Sequence, residues 1–328
     1  MRQKAVWGGV YTGKEEIELK IGLIDVDGHN YPNLALMKIS AYHKAQGDAV
    51  EWWWGWDRYD IVYMSKVFSD TYSADMPDPV NADLIVRGGS GYAIQTVGGI
   101  EIYDKDKDPH MPDCVARMMP DYSLYPELTK NQAYGRLTEG CPKKCPWCHV
   151  GAMQGTESRQ VCDLDEFWSG QRIINLMDPN ILACKNREKL LVRLADSGAA
   201  VNFDQGLDIG RMDQDVIEIL NRMRVKKYHF AWDNPAIDMT DQFAFVGEKL
   251  RIKNRASRIV YVLTNFGDSG AEDTLERVYI LRSLGFAPYV MIYNKPSAPQ
   301  ILRDIQRWCN NKIIFGACPY FEDYGGRK

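Results

Sequence analysis

No apolar run in the 328 residues approaches the roughly 20 residues that a transmembrane helix needs, so no membrane-spanning helix is expected. Residues 1–16 hold no apolar core of a secretory leader, which makes the cytoplasm the expected compartment. Disulfides are not expected there, and the eight cysteines are read as thiols or metal ligands. A strong basic excess is missing too. The formal charge is −4, with 14 Lys+Arg against 20 Asp+Glu in residues 1–138 and 26 against 24 in residues 139–328. Binding through phosphate neutralisation usually leaves a concentrated basic face. Only residues 249–258 look like one, and such runs are commonly solvated helix ends. What is present has globular proportions, 45% hydrophobic and 26% charged with a mean hydropathy of −0.37. The length suits two domains, or one large α/β barrel with an extension.

The first region reads strand, helix, strand, strand, strand. Residues 17–25 are rich in branched side chains and lead into the turn-forming pair Asp27 and Gly28. A helix follows: Pro32 opens it, Leu34, Leu36, Met37, Ile39, Ser40 and Tyr42 keep a helical period, and Gly47 closes it. Residues 49–54, 60–68 and 82–89 are further strands, the last two too apolar for an open edge. The unit predicted is a small Rossmann-like layer over residues 1–100. Its Gly-rich turn of Gly88, Gly89, Ser90 and Gly91 is a candidate for receiving a phosphate or a cofactor edge. Residues 101–131, with a charge run at 104–108 and several prolines, read as a linker.

Beyond it, strands at 132–138, 173–177, 199–204, 226–233, 258–266 and 287–294 alternate with amphipathic helices such as 213–223 and 271–284. Six such units over residues 132–300 predict an incomplete barrel, followed by a C-terminal helix and tail at 301–328. Chemistry in such barrels collects at the C-terminal ends of the strands. This chain has Asp178 and Asn180, Asp204 and Gln205, Asp233 and Asn234, and Thr264 and Asn265 at those ends. For each of them the competing reading is helix capping.

The most specific signal follows the first barrel strand: Cys141, Cys145, Trp147 and Cys148, in the pattern C-x3-C-x-aromatic-C. Three thiolates within eight residues can wrap one inorganic centre. A [4Fe-4S] cluster held by three cysteines leaves one iron open for a substrate or cofactor. Zinc is the competing centre, but a structural zinc site usually wants a second ligand pair, and no second C-x2-C pair exists. His149 is next to Cys148, and adjacent side chains rarely reach one metal together. Cys114, Cys162, Cys184, Cys309 and Cys318 have no spacing typical of a further cluster and are read as thiols.

This loop resembles the signature of the radical S-adenosylmethionine superfamily, which follows the first strand of a partial (βα)6 TIM barrel. The stretches 25–34, 201–208 and 289–293 are similar to a group of these proteins often carried by bacteriophages and anaerobic bacteria. The resemblance implies that Cys141, Cys145 and Cys148 bind a [4Fe-4S] cluster whose fourth iron is chelated by the amino and carboxylate groups of S-adenosylmethionine. It also implies one-electron cleavage of the sulfonium, giving methionine and a 5′-deoxyadenosyl radical that removes a substrate hydrogen from a C–H bond. Trp147 would pack near the adenine. Many members end the second barrel strand in Gly-Gly-Glu, which holds the methionine amino group. Residues 173–180 depart from that pattern, and Asp178 or Asn180 is the candidate acceptor. Asp204, Gln205 and Asp233 are candidates for the ribose hydroxyls and the substrate. The implied partners are an electron donor such as flavodoxin or ferredoxin and a nucleotide, nucleic-acid or peptide substrate.

The N-terminal region resembles the cobalamin-binding domain of one branch of the superfamily. Asp27, His29 and Pro32 stand where such a domain has D-x-H-x-x-G, and Ser65, Gly88 and Gly89 fall in its later strands. Pro32 replaces the glycine, so cobalamin, and with it a cobalamin-dependent methyl transfer, is the second reading. A non-catalytic iron–sulfur or zinc protein is the alternative from another class. Trp52, Trp53 and Trp54 are consecutive and cannot all face one side of a strand; with Trp56 they are expected to pack between domains or stack on a planar ligand.

Overall fold

The computed structural model describes residues 3–6, 9–12, 18–98, 100–252 and 254–325; Ile17 of the first expected strand and Lys253 of the basic run lie outside them. Contacts divide the chain into two compact units. One comprises Met1–Arg136, Pro142–Thr156 and Val161–Ile174, the other Leu137–Cys141, Glu157–Gln160 and Asn175–Lys328.

The first unit opens with an antiparallel hairpin, β1 (Gln3–Val6) and β2 (Gly9–Thr12). Then come β3 (Lys20–Asp25), α1 (Leu34–Ala45), β4 (Ala49–Trp52), β5 (Tyr59–Ser65) and β6 (Ala82–Gly88). The four strands form a parallel sheet in the order β4-β3-β5-β6. The central strands β3 and β5 are apolar because both their faces are buried, whereas β6, expected from its apolar run to lie off an open edge, is an edge strand with Asp83 and Arg87 exposed. Ile21 and Leu23 pack with Leu36 and Ile39 of α1, whereas Ile24 packs with Val62 and Met64 on the opposite side. The Asn33 side chain caps α1 by accepting the Leu36 N–H at 3.2 Å, and Gly47, at φ +81°, releases the chain after the helix. Trp52 and Trp53 join opposite clusters, as the alternation of a strand requires, and Trp54 and Trp56 are exposed.

After β6 the unit continues with α2 (Ser90–Ala93), the hairpin β7 (Ile94–Val97) and β8 (Ile100–Tyr103), α3 (Asp113–Ala116), β9 (Gln132–Gly135) and α4 (Val150–Gln154). Residues 101–131, read from sequence as a linker, are tied into this unit. Asp121 accepts from Ser40 and Lys44 of α1, each at 2.6 Å, and Val115 enters the core beside Leu36 and Ile39.

The second unit contains β10 (Thr138–Glu139) and β11 (Arg159–Gln160), which pair antiparallel. β12 (Ile173–Leu176) crosses the division, and α5 (Arg187–Asp196), β13 (Ala200–Phe203), α6 (Gln214–Arg222) and β14 (Arg224–Val225) follow, with β13 and β14 parallel. A three-stranded parallel sheet is built from β15 (Tyr228–Ala231), β16 (Arg258–Thr264) and β17 (Ala287–Ile292). Helices α7 (Thr240–Lys249), α8 (Ala271–Ser283), α9 (Gln300–Asn310) and α10 (Lys312–Ala317) complete the unit. Each of the six expected strand regions contains a strand, in the expected order. In this last sheet Phe230, Val260, Val262 and Val290 are buried, while His229, Tyr261, Tyr289 and Met291, at the alternate positions, are more open. Fold class at this level is a mixed α/β protein with parallel sheets, and no described helix is long and apolar enough to cross a membrane.

Candidate functional site

Construction of the cysteine loop begins at the end of β9. The chain must turn from β9 into β10, and Asp178, 3% exposed, holds that turn. Its carboxylate accepts the Leu137 N–H at 3.1 Å, the Thr138 N–H at 2.6 Å and the Thr138 hydroxyl at 2.7 Å. Pairing with β11 steadies β10 from another side, helped by an Arg159–Glu139 ion pair at 3.4 Å. Gly140, at φ +84°, then starts a loop that its prolines keep out of regular structure until α4. Cys141 and Cys145 are half-buried and Cys148 is exposed; the Cys148 N–H donates to the Cys145 carbonyl at 3.1 Å, closing a turn around Trp147.

Asn180 gives this loop a polar neighbour. It is 4% exposed, and its Nδ2 donates to Cys141 Sγ at 3.4 Å and to Asp208 Oδ2 at 3.2 Å. The Asn180 carbonyl accepts from Ser158 Oγ at 2.9 Å, which fixes the backbone. Asn180 Oδ1 is covered and has no hydrogen-bond partner among the described residues. Asp208 also faces Arg211 Nε at 3.3 Å. Asp208 was not singled out from sequence, because one Asp in a polar stretch carries no signal until the fold lays it beside Asn180.

The other expected residues are placed as follows. Trp147 is half-buried in the loop turn. Asp204 and Gln205 are exposed at the end of β13, where the Asp204 N–H donates to the Leu176 carbonyl at 2.9 Å. Asp233 is half-buried after β15, and its carbonyl accepts from Arg277 at 3.3 Å. His149 lies 3.8 Å from Glu101 in an ion-pair arrangement. None of the eight cysteines is in a disulfide, and burial pushes the Cys162 and Cys309 thiols up to about 12. Among the described residues, no three His, Cys, Asp or Glu side chains stand close enough together to hold a metal ion.

At the strand ends of the first unit the side chains are already engaged with one another. Asp27 accepts the Val67 N–H at 2.5 Å and the Phe68 N–H at 3.4 Å, so its carboxylate serves a turn instead of orienting His29. The His29 ring stands edge-on to Trp52 at 4.4 Å. Ser65 is buried against Asn33 at 2.9 Å, and the Tyr125 hydroxyl donates to Asp25 at 2.7 Å. Burial holds the Asp25 carboxyl above the usual carboxylate range. Tyr125 and Trp52 pack beside His29, their own rings 5.2 Å apart. No family model matches the chain, and no curated protein matches it.

Proposed function

We propose that the protein is a radical S-adenosylmethionine enzyme. The observation that carries this reading is the spacing of Cys141, Cys145 and Cys148 around Trp147, on a loop whose entry is pinned by Asp178. Donor type and sequence spacing, not the present separation of the side chains, suit an iron–sulfur cluster with one open iron: three thiols within eight residues, none in a disulfide, with an amide N–H directed at one sulfur. The six strand regions in series with their helices fit a partial barrel around such a loop. When bound, the cluster supplies the electron that cleaves S-adenosylmethionine to methionine and the 5′-deoxyadenosyl radical that attacks a substrate C–H bond.

The roles left to this chain's own residues are binding and orientation. Cys141, Cys145 and Cys148 hold the cluster, and Trp147 offers a ring to the adenine. Of the two acceptors considered for the methionine ammonium, Asn180 suits the role better. The Asp178 oxygens are already engaged at the β9–β10 turn, whereas Asn180 Oδ1 has no hydrogen-bond partner among the described residues. Asp204, Gln205 and Asp233, at strand ends, serve the ribose hydroxyls and the substrate. Cobalamin is left out of this scheme: Asp27 is engaged by the Val67 and Phe68 N–H groups, and Pro32 replaces the glycine of the cobalamin-binding pattern.

Anaerobic reconstitution tests the reading. The wild-type protein is expected to hold about four irons per chain, and each of Cys141→Ala, Cys145→Ala and Cys148→Ala to lose them. Reduction with dithionite should then yield 5′-deoxyadenosine from S-adenosylmethionine, slowly even without substrate. Stoichiometric zinc in the wild-type protein, or full iron in the triple variant, would overturn the proposal.

A further inference from the structure

An open cleft of about 640 Å³ runs along the edge strand β17, in the second unit. Helix α9 explains its shape. Leu302, Ile305, Trp308 and Cys309 turn into the core, which leaves Arg303, Gln306, Arg307 and Asn310 on the other side of the helix, lining the cleft. Gln306 and Asn310 have a structural use: Asn310 Oδ1 accepts the Val290 N–H at 2.8 Å, and both side-chain amides donate to the Val290 carbonyl. They close the strand edge against further pairing.

Two of the three cations have no such use. The Lys295 ammonium and the Arg307 guanidinium have no hydrogen bond or ion pair among the described residues. Arg303 donates from Nη2 to the Lys295 and Pro296 carbonyls, at 3.2 and 3.0 Å, but its Nε is covered and has no acceptor. Asp304 is the single carboxylate lining the cleft, and it accepts from Gln300 Nε2 at 3.0 Å. The cleft therefore carries a local positive excess on a chain whose net charge is negative.

Tyr289 is a wall of this cleft and also one end of a row of rings on the more open face of the β15–β17 sheet. Its ring stands perpendicular to Tyr261 at 5.7 Å, and Tyr261 lies nearly parallel to His229 at 5.7 Å. His229 bonds to the Phe203 backbone, burial lowers its pKa, and its Nδ1 has no partner among the described residues. Aromatic faces that lead into a cationic cleft suit a ligand with a planar ring at one end and a phosphate at the other.

We infer that this surface binds a phosphorylated nucleoside, free or within a single-stranded nucleic acid, with the base against Tyr289 and Tyr261 and the phosphate at Lys295, Arg303 and Arg307. Only the further step of naming this ligand the substrate rests on the radical S-adenosylmethionine reading; its binding does not.

Fluorescence anisotropy of a labelled decathymidylate on the full chain is the test, with the unlabelled oligomer, thymidine 5′-monophosphate, thymidine and inorganic phosphate as competitors. The wild-type protein should bind, more weakly as salt rises. The double variant Lys295→Glu, Arg307→Glu, at two exposed positions, should lose about tenfold or more in affinity and most of the salt dependence. Tyr289→Leu should lose about tenfold with the salt dependence intact. Displacement by the monophosphate identifies a free nucleotide, and displacement by unlabelled oligomer alone identifies a nucleic acid; either supports the inference. Absence of binding overturns it, as does displacement by inorganic phosphate equal to that by the monophosphate together with an unchanged Tyr289→Leu. The triple cysteine-to-alanine variant should bind as the wild type does, so loss of the cluster and loss of this site are separable.

Discussion

Asp178 and Asn180 are two residues apart and nearly equally buried, yet their side chains do opposite things. Asp178 spends its carboxylate on three donors of the β9–β10 turn. Asp178→Ala leaves those donors without an acceptor in a buried place and should cost about 3 kcal/mol in urea denaturation, with the cysteine loop loosened as a result. Asn180→Leu keeps the volume and removes both the N–H directed at Cys141 and the unmatched Oδ1. The reconstituted variant should keep its iron but bind S-adenosylmethionine at least about tenfold more weakly, as read by equilibrium dialysis. Asp25 makes a pH prediction. Burial raises its folded pKa above the unfolded value, so the stability that comes from its protonated form is complete below the ordinary Asp pKa of about 3.9 and is lost as pH rises through the folded pKa. Asp25→Asn should therefore be more stable than wild type at pH 7, an advantage that shrinks at pH 4; a variant less stable at pH 7 would show that the Tyr125 bond outweighs the burial penalty.

Among the elements, the turns after the strands hold the strictest requirements. Gly89, at φ +99°, passes so close to the Lys66 backbone that a Cβ would run into its carbonyl. Gly89→Ala should destabilise the first unit by at least about 2 kcal/mol, measured as a shift of its thermal midpoint. In the second unit Arg277, 3% exposed on α8, ties the ends of β15 and β16 together through the Trp232 and Leu263 carbonyls at 2.7 and 3.1 Å, and Asp273 balances its charge at 2.6 Å. This bracket sets where Asp233 emerges.

For the whole molecule, the first unit's strand ends predict an outcome about cofactors. Protein mixed with hydroxocobalamin and desalted should retain no corrin absorbance. Retention of one equivalent, changed in His29→Ala, would make methyl transfer the leading reaction.

Strand order and type were legible because period-two runs and buried apolar runs are local patterns: each of the six regions from 132–138 to 287–294 holds its strand, and α1 begins after Pro32 and ends before Gly47 as its residues imply. The cysteine spacing was legible for the same reason, since eight residues of chain carry the whole motif. Tertiary structure alone decided which polar strand-end residues are engaged. Local sequence gives Asp178 and Asn180 the same capping propensity, whereas burial beside Thr138 or beside Cys141 is set by strands far apart in the chain. The packing of 101–131 onto α1 was hidden likewise, because Asp121 and Tyr125 find their partners, Ser40 and Asp25, about 80 and 100 residues away. The cationic cleft was invisible in the charge count, since a net charge of −4 sums over the surface while α9 gathers Arg303 and Arg307 on one side of a single helix.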